Sequence, residues 1–398
     1  MPVELAPGVY WVGAVDWNLR DFHGYLTEDG STYNAYLILD EKITLIDTVK
    51  KGFAPEMLGR IAEIVPPERI DYIVSNHVEM DHSGGLPETM ARVKPEKVFC
   101  SPQGRAGLSR HYRQDWPFVE VRTGDAVSLG RRSLSFLETP MLHWPDSMMT
   151  YLKEEQLLFS SDAFGAHLAS SERFDDWLPE IPGDYPHQLK KYYANILMPF
   201  GTLVTQLFDK IAKLGLTFKT IAPDHGLIYR RRPEWVLSLY RKWAEGAAEP
   251  KALVIYDTMW RSTELLAQAL VQGLTDAGVE AQLHHLRSTH HSDIVTEVLD
   301  AGLLLIGSPT LNNNLFPTVA QFLTYLKGLK PRNKAAAAFG SFGWSGEAVK
   351  LVNQELEAMK LKLAHEGLKV KYIPDQEEIK AARVLGERLA RENLPLGS

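Results

Sequence analysis

The chain has 398 residues, 45% of them hydrophobic and 23% charged, with a formal net charge of −7. That length calls for two domains, the acidic balance speaks against a nucleic-acid-binding protein, and no apolar run is long enough to span a bilayer. A single cysteine, Cys100, excludes an intrachain disulfide and any cysteine-rich zinc or iron–sulfur site made by this chain alone. Met1-Pro2-Val3-Glu4-Leu5 has no basic stretch followed by an apolar core, so no signal peptide is visible. The expectation is a cytoplasmic α/β protein with no membrane or nucleic-acid partner.

The first predicted strands are Gly8–Gly13, Asn34–Asp40 and Lys42–Asp47, the last two forming a hairpin. A helix over Phe53–Ile64 ends at Pro66-Pro67. The run Ile70–Ser75 is β-branched and aromatic and reads as a buried strand. It leads into His77-Val78-Glu79-Met80-Asp81-His82, where four potential metal ligands (His77, Glu79, Asp81, His82) fall within six residues. Buried charges are costly unless paired or bound to a metal, so this hexapeptide points to a metal site. Ser83–Pro87 reads as a turn into a helix.

Further strands are expected at Lys97–Cys100, Ala126–Leu129, Leu134–Glu138, Met149–Lys153 and Leu157–Ser160, which together imply packed sheets covered by helices. His143 and Asp162 follow two of these strands, and His225 follows the apolar stretch Phe218–Asp224. Taken singly, each reads as a structural residue with ordinary hydrogen bonds. Together they repeat the position of the hexapeptide, just past a buried strand.

After a helix at Glu234–Glu245, the small-residue stretch Gly246–Pro250 marks a boundary, giving domains 1–249 and 250–398. Strands at Ala252–Tyr256, Ala281–Leu286, Leu303–Gly307, Ala335–Gly340 and Leu368–Tyr372 alternate with helices at Glu264–Ala277, near Ser292–Ala301, at Pro317–Gly328, and from about Gln376. This alternation predicts a five-stranded, doubly wound parallel sheet. Ligands of such sheets bind past the carboxyl ends of the strands. Three loops there stand out: Thr258-Met259-Trp260-Arg261-Ser262-Thr263 after Asp257, Ser308-Pro309-Thr310-Leu311-Asn312-Asn313, and Ser341-Phe342-Gly343-Trp344-Ser345-Gly346. The first places hydroxyls and amides at a helix N-terminus, which suits a phosphate.

His-x-x-x-Asp-His, followed by His, Asp and His after later strands, resembles the metallo-β-lactamase fold, an αββα sandwich. That family usually has a second His two residues after the first, where Glu79 stands here. His-x-Glu-x-Asp-His with the later His143-Trp144-Pro145-Asp146-Ser147 is similar to the flavodiiron proteins, or A-type flavoproteins. The change makes chemical sense: a carboxylate is a harder ligand than imidazole and suits iron. A bridging carboxylate can also hold two metals roughly 3.5–4 Å apart.

This resemblance implies that His77, Glu79 and His143 bind one iron, Asp81 and His225 bind the other, and Asp162 bridges them. His82 matches the motif, although in this family that position sometimes lies just outside the coordination sphere. Asp224 and Asp47 are candidates for orienting imidazoles, and turn or cap roles fit them as well. His23, in the loop Phe22–Tyr25, and Tyr193, in a helix beginning near His187, are implied to line the cavity above the metals. The second half resembles flavodoxin, with the first loop on the phosphate of FMN and the other two flanking its isoalloxazine. Arg261 departs from that pattern, standing where Gly is common.

The implied activity is reduction of dioxygen to water, of nitric oxide to nitrous oxide, or of both. Electrons would pass through FMN from a separate donor such as a rubredoxin or a reduced deazaflavin, since no rubredoxin-like Cys pairs follow. Similar proteins pair head to tail, as a homodimer or a dimer of dimers, so that one flavin faces the partner's irons. Trp144, beside His143, is read mainly as core packing. The rival readings are a zinc hydrolase with an attached flavodoxin-like domain, against which Glu79 argues, and an electron carrier whose metal domain is only structural.

Overall fold

The computed structural model describes residues 1–177 and 184–395. The chain divides into two compact units, one of residues 1–193 with 202–241, the other of 194–201 with 242–398.

The first unit is built on two sheets. One has seven strands in the order Val3–Ala6, Val9–Trp11, Tyr36–Ile38, Thr44–Ile46, Tyr72–Val74, Lys97–Cys100, Phe118–Glu120. The other has five: Ala126–Ser128, Ser133–Glu138, Met148–Leu152, Leu157–Ser161, Thr220–Pro223. Strand alternation divides the first sheet's side chains between two cores. Tyr36, Ile38, Ile46, Val74 and Phe99 pack with Phe136, Met148, Leu152 and Phe159 of the second sheet. Leu37, Leu45, Ile73 and Val98 instead meet Met57 and Ile61 of helix Ala54–Ala62, Met90 of helix Leu86–Val93 and Leu108 of helix Pro102–Tyr112. On the far face of the second sheet Leu137, Met149, Leu158 and Ile221 are buried, and Lys210 of helix Gly201–Lys213 donates to the carbonyl of Glu138. This is the expected αββα sandwich.

The second unit is a parallel sheet in the order Glu280–His285, Glu249–Tyr256, Ala301–Gly307, Ala335–Phe342. Its fifth position is shared by two short segments, Lys362–Leu363 and Leu368–Lys371, both parallel to Ala335–Phe342. The expected five-position doubly wound sheet is present, with its edge strand split.

Several details differ from expectation. Helix Pro102–Tyr112 carries little apolar signal, since only Gly104 and Leu108 are buried; Ser101 caps it by accepting from the Gly104 amide. The hexapeptide is not all loop, because Met80–Ser83 forms a helical turn. The fourth strand of the parallel sheet continues through Ser341 and Phe342, so the third loop begins later than expected.

Two glycines show how closely the second unit is packed. A β-carbon on Gly273 of helix Ser262–Asp276 would lie 1.9 Å from the Arg383 carbonyl oxygen, and one on Gly386 of helix Gln376–Asn393 would lie 2.4 Å from that of Leu270. The two helix backbones therefore touch, and neither position tolerates a methyl group. Gly59, in helix Ala54–Ala62, has nothing within 4 Å of such an atom. We expect Gly273→Ala to destabilise by about 2 kcal/mol or more through overpacking. Gly59→Ala should stabilise by about 0.5–1 kcal/mol through helix propensity. Chemical denaturation of the two variants checks both signs.

Candidate metal centre and cofactor pocket

The hexapeptide starts where strand Tyr72–Val74 ends, and three other strand ends deliver the remaining candidates. Ser161 pairs with Pro223 in parallel strands, which sets Asp162 and the Asp224-His225 turn side by side. The first sheet pins that turn: Nδ2 of the Asn34 side chain and the hydroxyl of Tyr36 donate to the Pro223 carbonyl at 2.7 and 2.6 Å.

The side chains converge as two sets. In the first, ligand atoms of His77, Glu79, His143 and Asp162 all lie within 4.8 Å of one another. His143 Nε2 is 3.2 Å from both Glu79 Oε2 and Asp162 Oδ2, and His77 Nε2 is 3.4 Å from the same two oxygens. The second set is Asp81, His82 and His225. His225 Nε2 lies 3.2 Å from Asp81 Oδ2 and 3.4 Å from Asp162 Oδ1, and His82 Nε2 lies 3.2 Å from Asp162 Oδ1. Asp162 thus turns one oxygen to each set. His82, which the motif left open, has its Nε2 among these atoms.

All of these residues except the partly exposed His143 are buried, yet both oxygens of Asp81, both ring nitrogens of His82 and Asp162 Oδ2 lack a hydrogen-bond partner. Buried polar atoms ordinarily have one. Donor atoms that converge on common points, several of them with no hydrogen-bond partner, fit two metal ions, and His with carboxylate donors suits iron.

The charges reinforce one another. Burial opposes protonation of His77, but Asp146 and then Glu79 outweigh it and hold the imidazole up at about 10. Burial also opposes protonation of His143, which Asp162 and Glu79 hold at about 9. Burial favours the neutral acid of Asp162, but His82 first, then His143 and His77, keep it well below the usual carboxylate range.

Outer contacts set the ring orientations. His225 Nδ1 donates to the Thr32 carbonyl at 2.6 Å, which leaves Nε2 facing inward. His77 Nδ1 donates to Asp146 Oδ2 at 2.9 Å, and the Val78 amide donates to the same oxygen. Asp47 touches no ring; it accepts from the backbone and side-chain amides of Asn76 and so positions the residue before His77. Burial raises Asp47 to about 6, against those same bonds. Asp224 Oδ2 lies 3.5 Å from His82 Nδ1. Trp144 packs edge-on against His77 and beside the outer core.

His23 reaches the centre. Its Nε2 is 3.0 Å from Glu79 Oε1, while its side chain is 75% exposed. The Tyr193 ring packs edge-on against that of Tyr240. Its neighbour Tyr192 donates to Asp162 Oδ1 at 2.9 Å, because one helical step turns a side chain by about 100°. Two residues were not foreseen. Asp146 lies in the Trp-Pro-Asp-Ser turn, which was a usable signal. His167 is fully buried 4.7 Å from the His225 ring, with Nδ1 2.7 Å from Ser31 Oγ, and no motif announced it.

In the second unit a cavity of about 540 Å³ opens at the carboxyl ends of the strands. Met259, Trp260 and Ser262 of the first loop line it, with Pro309, Thr310, Leu311 and Asn312 of the second, Ser341, Phe342, Gly343 and Trp344 of the third, and also Tyr372 and Ile373. This volume suits a mononucleotide-sized ligand. The other expected loop residues hold its frame. Thr263 Oγ1 meets Ser341 Oγ at 2.9 Å, Ser308 Oγ accepts from the Phe316 amide, and the Thr258 amide donates to Asp257. Asn313 accepts from Ser345, and Gly346 turns at positive φ. Arg261 faces Glu264 at 3.0 Å.

The model of the ODP family beta lactamase matches residues 32–226, and that of flavodoxin matches residues 254–386. The chain is 46% identical over 393 residues to the nitric oxide reductase of Moorella thermoacetica, covering 98% of each. Its fold matches the rubredoxin oxygen:oxidoreductase structure from Desulfovibrio gigas with a TM-score of 0.96 at 40% identity, over 98% of each chain. The flavodiiron protein structure from Giardia intestinalis matches with a TM-score of 0.93 at 35% identity, over 98% of this chain and 96% of that one. From ligand sets, cofactor pocket and full-length likeness together, this chain belongs to the flavodiiron proteins.

Proposed function

We propose that this chain reduces dioxygen, nitric oxide or both at a diiron centre, with electrons arriving through FMN. The observation that carries the reading is Asp162, one oxygen in each ligand set. His77, Glu79 and His143 would hold one iron, Asp81, His82 and His225 the other. Bound there, FMN would supply electron relay from a donor and the irons would supply binding and activation of the gas.

The chain's own residues position, insulate and supply protons. Glu79 turns Oε2 to the first set while Oε1 receives the Nε2 proton of exposed His23. That places a proton-carrying group at the solvent edge of the site. Tyr192 holds its hydroxyl proton on Asp162 Oδ1, beside the second set. Glu79 in place of a third imidazole favours this reading over a zinc hydrolase, and the complete buried ligand set favours it over a purely structural metal domain.

We propose a functional division of a metal domain, residues 1–249, and a flavin domain, residues 250–398, with residues 242–249 packing as part of the second compact unit. The donor is a separate protein or cofactor, a rubredoxin or a reduced deazaflavin; the name of the Desulfovibrio gigas relative supports rubredoxin. A head-to-tail homodimer, alone or doubled, would bring one flavin to the partner's irons. The proposed compartment is the cytoplasm; among the described residues no helix is long and apolar enough to cross a membrane.

Two variants test the assignment. His143→Ala should lose iron from the first set and lower gas consumption roughly 100-fold or more, with FMN content unchanged. Iron and flavin analysis beside oxygen- and nitric oxide-electrode traces reads this; full turnover in the variant would rule out His143 as a ligand. Asp146→Asn removes the acceptor that fixes His77 and should weaken iron binding by about 10- to 100-fold in chelator competition.

A further inference from the structure

Three walls of the flavin pocket come from loops that follow strands of the sheet's interior. The fourth comes from its split edge. Tyr372 and Ile373, directly after strand Leu368–Lys371, line the same cavity. They are 64% and 73% exposed, an unusual setting for two large apolar side chains at the rim of a cavity.

Tyr372 also has φ +63°, in the left-handed region that disfavours any residue with a β-carbon. Two contacts hold it there. Its amide donates to the Phe342 carbonyl at 2.8 Å, continuing the pairing of Lys371 with Phe342. Its ring lies against the third loop, with Cε1 3.4 Å from where a β-carbon on Gly343 would sit. The Lys371 ammonium is 5.5 Å from the ring centroid. A glycine would occupy this backbone at ease, so the aromatic ring is present despite the local conformation. Such an outlier at a pocket wall points to a ligand contact.

We propose that Tyr372, backed by Ile373, is a positioning residue for the flavin ring system. The proposal rests on the reading that this pocket takes FMN. Tyr372 sits with Gly343 and Trp344 of the third loop, whereas the phosphate is assigned to the first loop at the start of helix Ser262–Asp276. The contact therefore belongs to the isoalloxazine and is blind to the phosphate.

The test is titration of the full-length apoprotein with FMN and, separately, riboflavin, following quenching of flavin fluorescence. Tyr372→Gly should raise Kd about tenfold for both flavins, by the same ratio, and recover part of the fluorescence. Tyr372→Phe should keep the wild-type Kd. The apo melting temperature of Tyr372→Gly should not fall, because glycine suits the positive φ, and this separates lost contact from lost fold. Unchanged Kd and quenching in Tyr372→Gly, with wild-type protein binding normally, would overturn the proposal alone. So would weakening confined to FMN. Wild-type apoprotein that binds neither flavin would overturn the FMN reading as well.

Discussion

Two ligand sets share one carboxylate, and much of the first unit exists to hold it. Asp162 sits at the end of a fully buried strand, and the adjacent parallel strand brings Asp224-His225 beside it. The opposing sheet supplies the hexapeptide and, through Asn34 and Tyr36, grips the His225 turn. The sandwich is thus closed across the site by hydrogen bonds as well as by apolar packing. A carboxylate this deep is affordable only with positive charge on both of its oxygens.

That requirement explains the shell around it. Two imidazoles have their outer nitrogens held: His225 by the Thr32 carbonyl, His77 by Asp146. The inner nitrogens are then left to meet the carboxylates. Glu79 does double service, turning one oxygen inward and the other to His23. Its two oxygens let a single carboxylate face the buried set and the exposed edge at once.

Much of this was legible in the chain because the chemistry sits at strand ends. A buried strand is visible as a β-branched or aromatic run, and a ligand just beyond it breaks the pattern. Hence His77, Glu79, His143, Asp162 and His225, which the fold brings together, could be singled out, along with the three loops that meet at the cavity of the parallel sheet. Residues whose role depends on tertiary contact were not legible. His167 meets Ser31 across 136 positions and carries no local signature. Tyr192 and Tyr193 are adjacent, and only the helix phase decides which one reaches Asp162. Tyr372 reads as the end of an edge strand, and its place in the flavin cavity follows from pairing with Phe342. Helix Pro102–Tyr112 escaped because a helix resting on Leu108 alone leaves almost no apolar period.

The most direct test of the central claim is an anaerobic reductive titration of the holoprotein, counting electrons taken up per flavin while the visible spectrum and iron signals are followed. A coupled flavin–diiron protein takes up about four electrons per FMN, two on the flavin and one on each iron, and returns them when dioxygen or nitric oxide is added. Uptake that stops at the flavin's own two electrons, with zinc in the ligand sets and no gas consumed, would contradict the account.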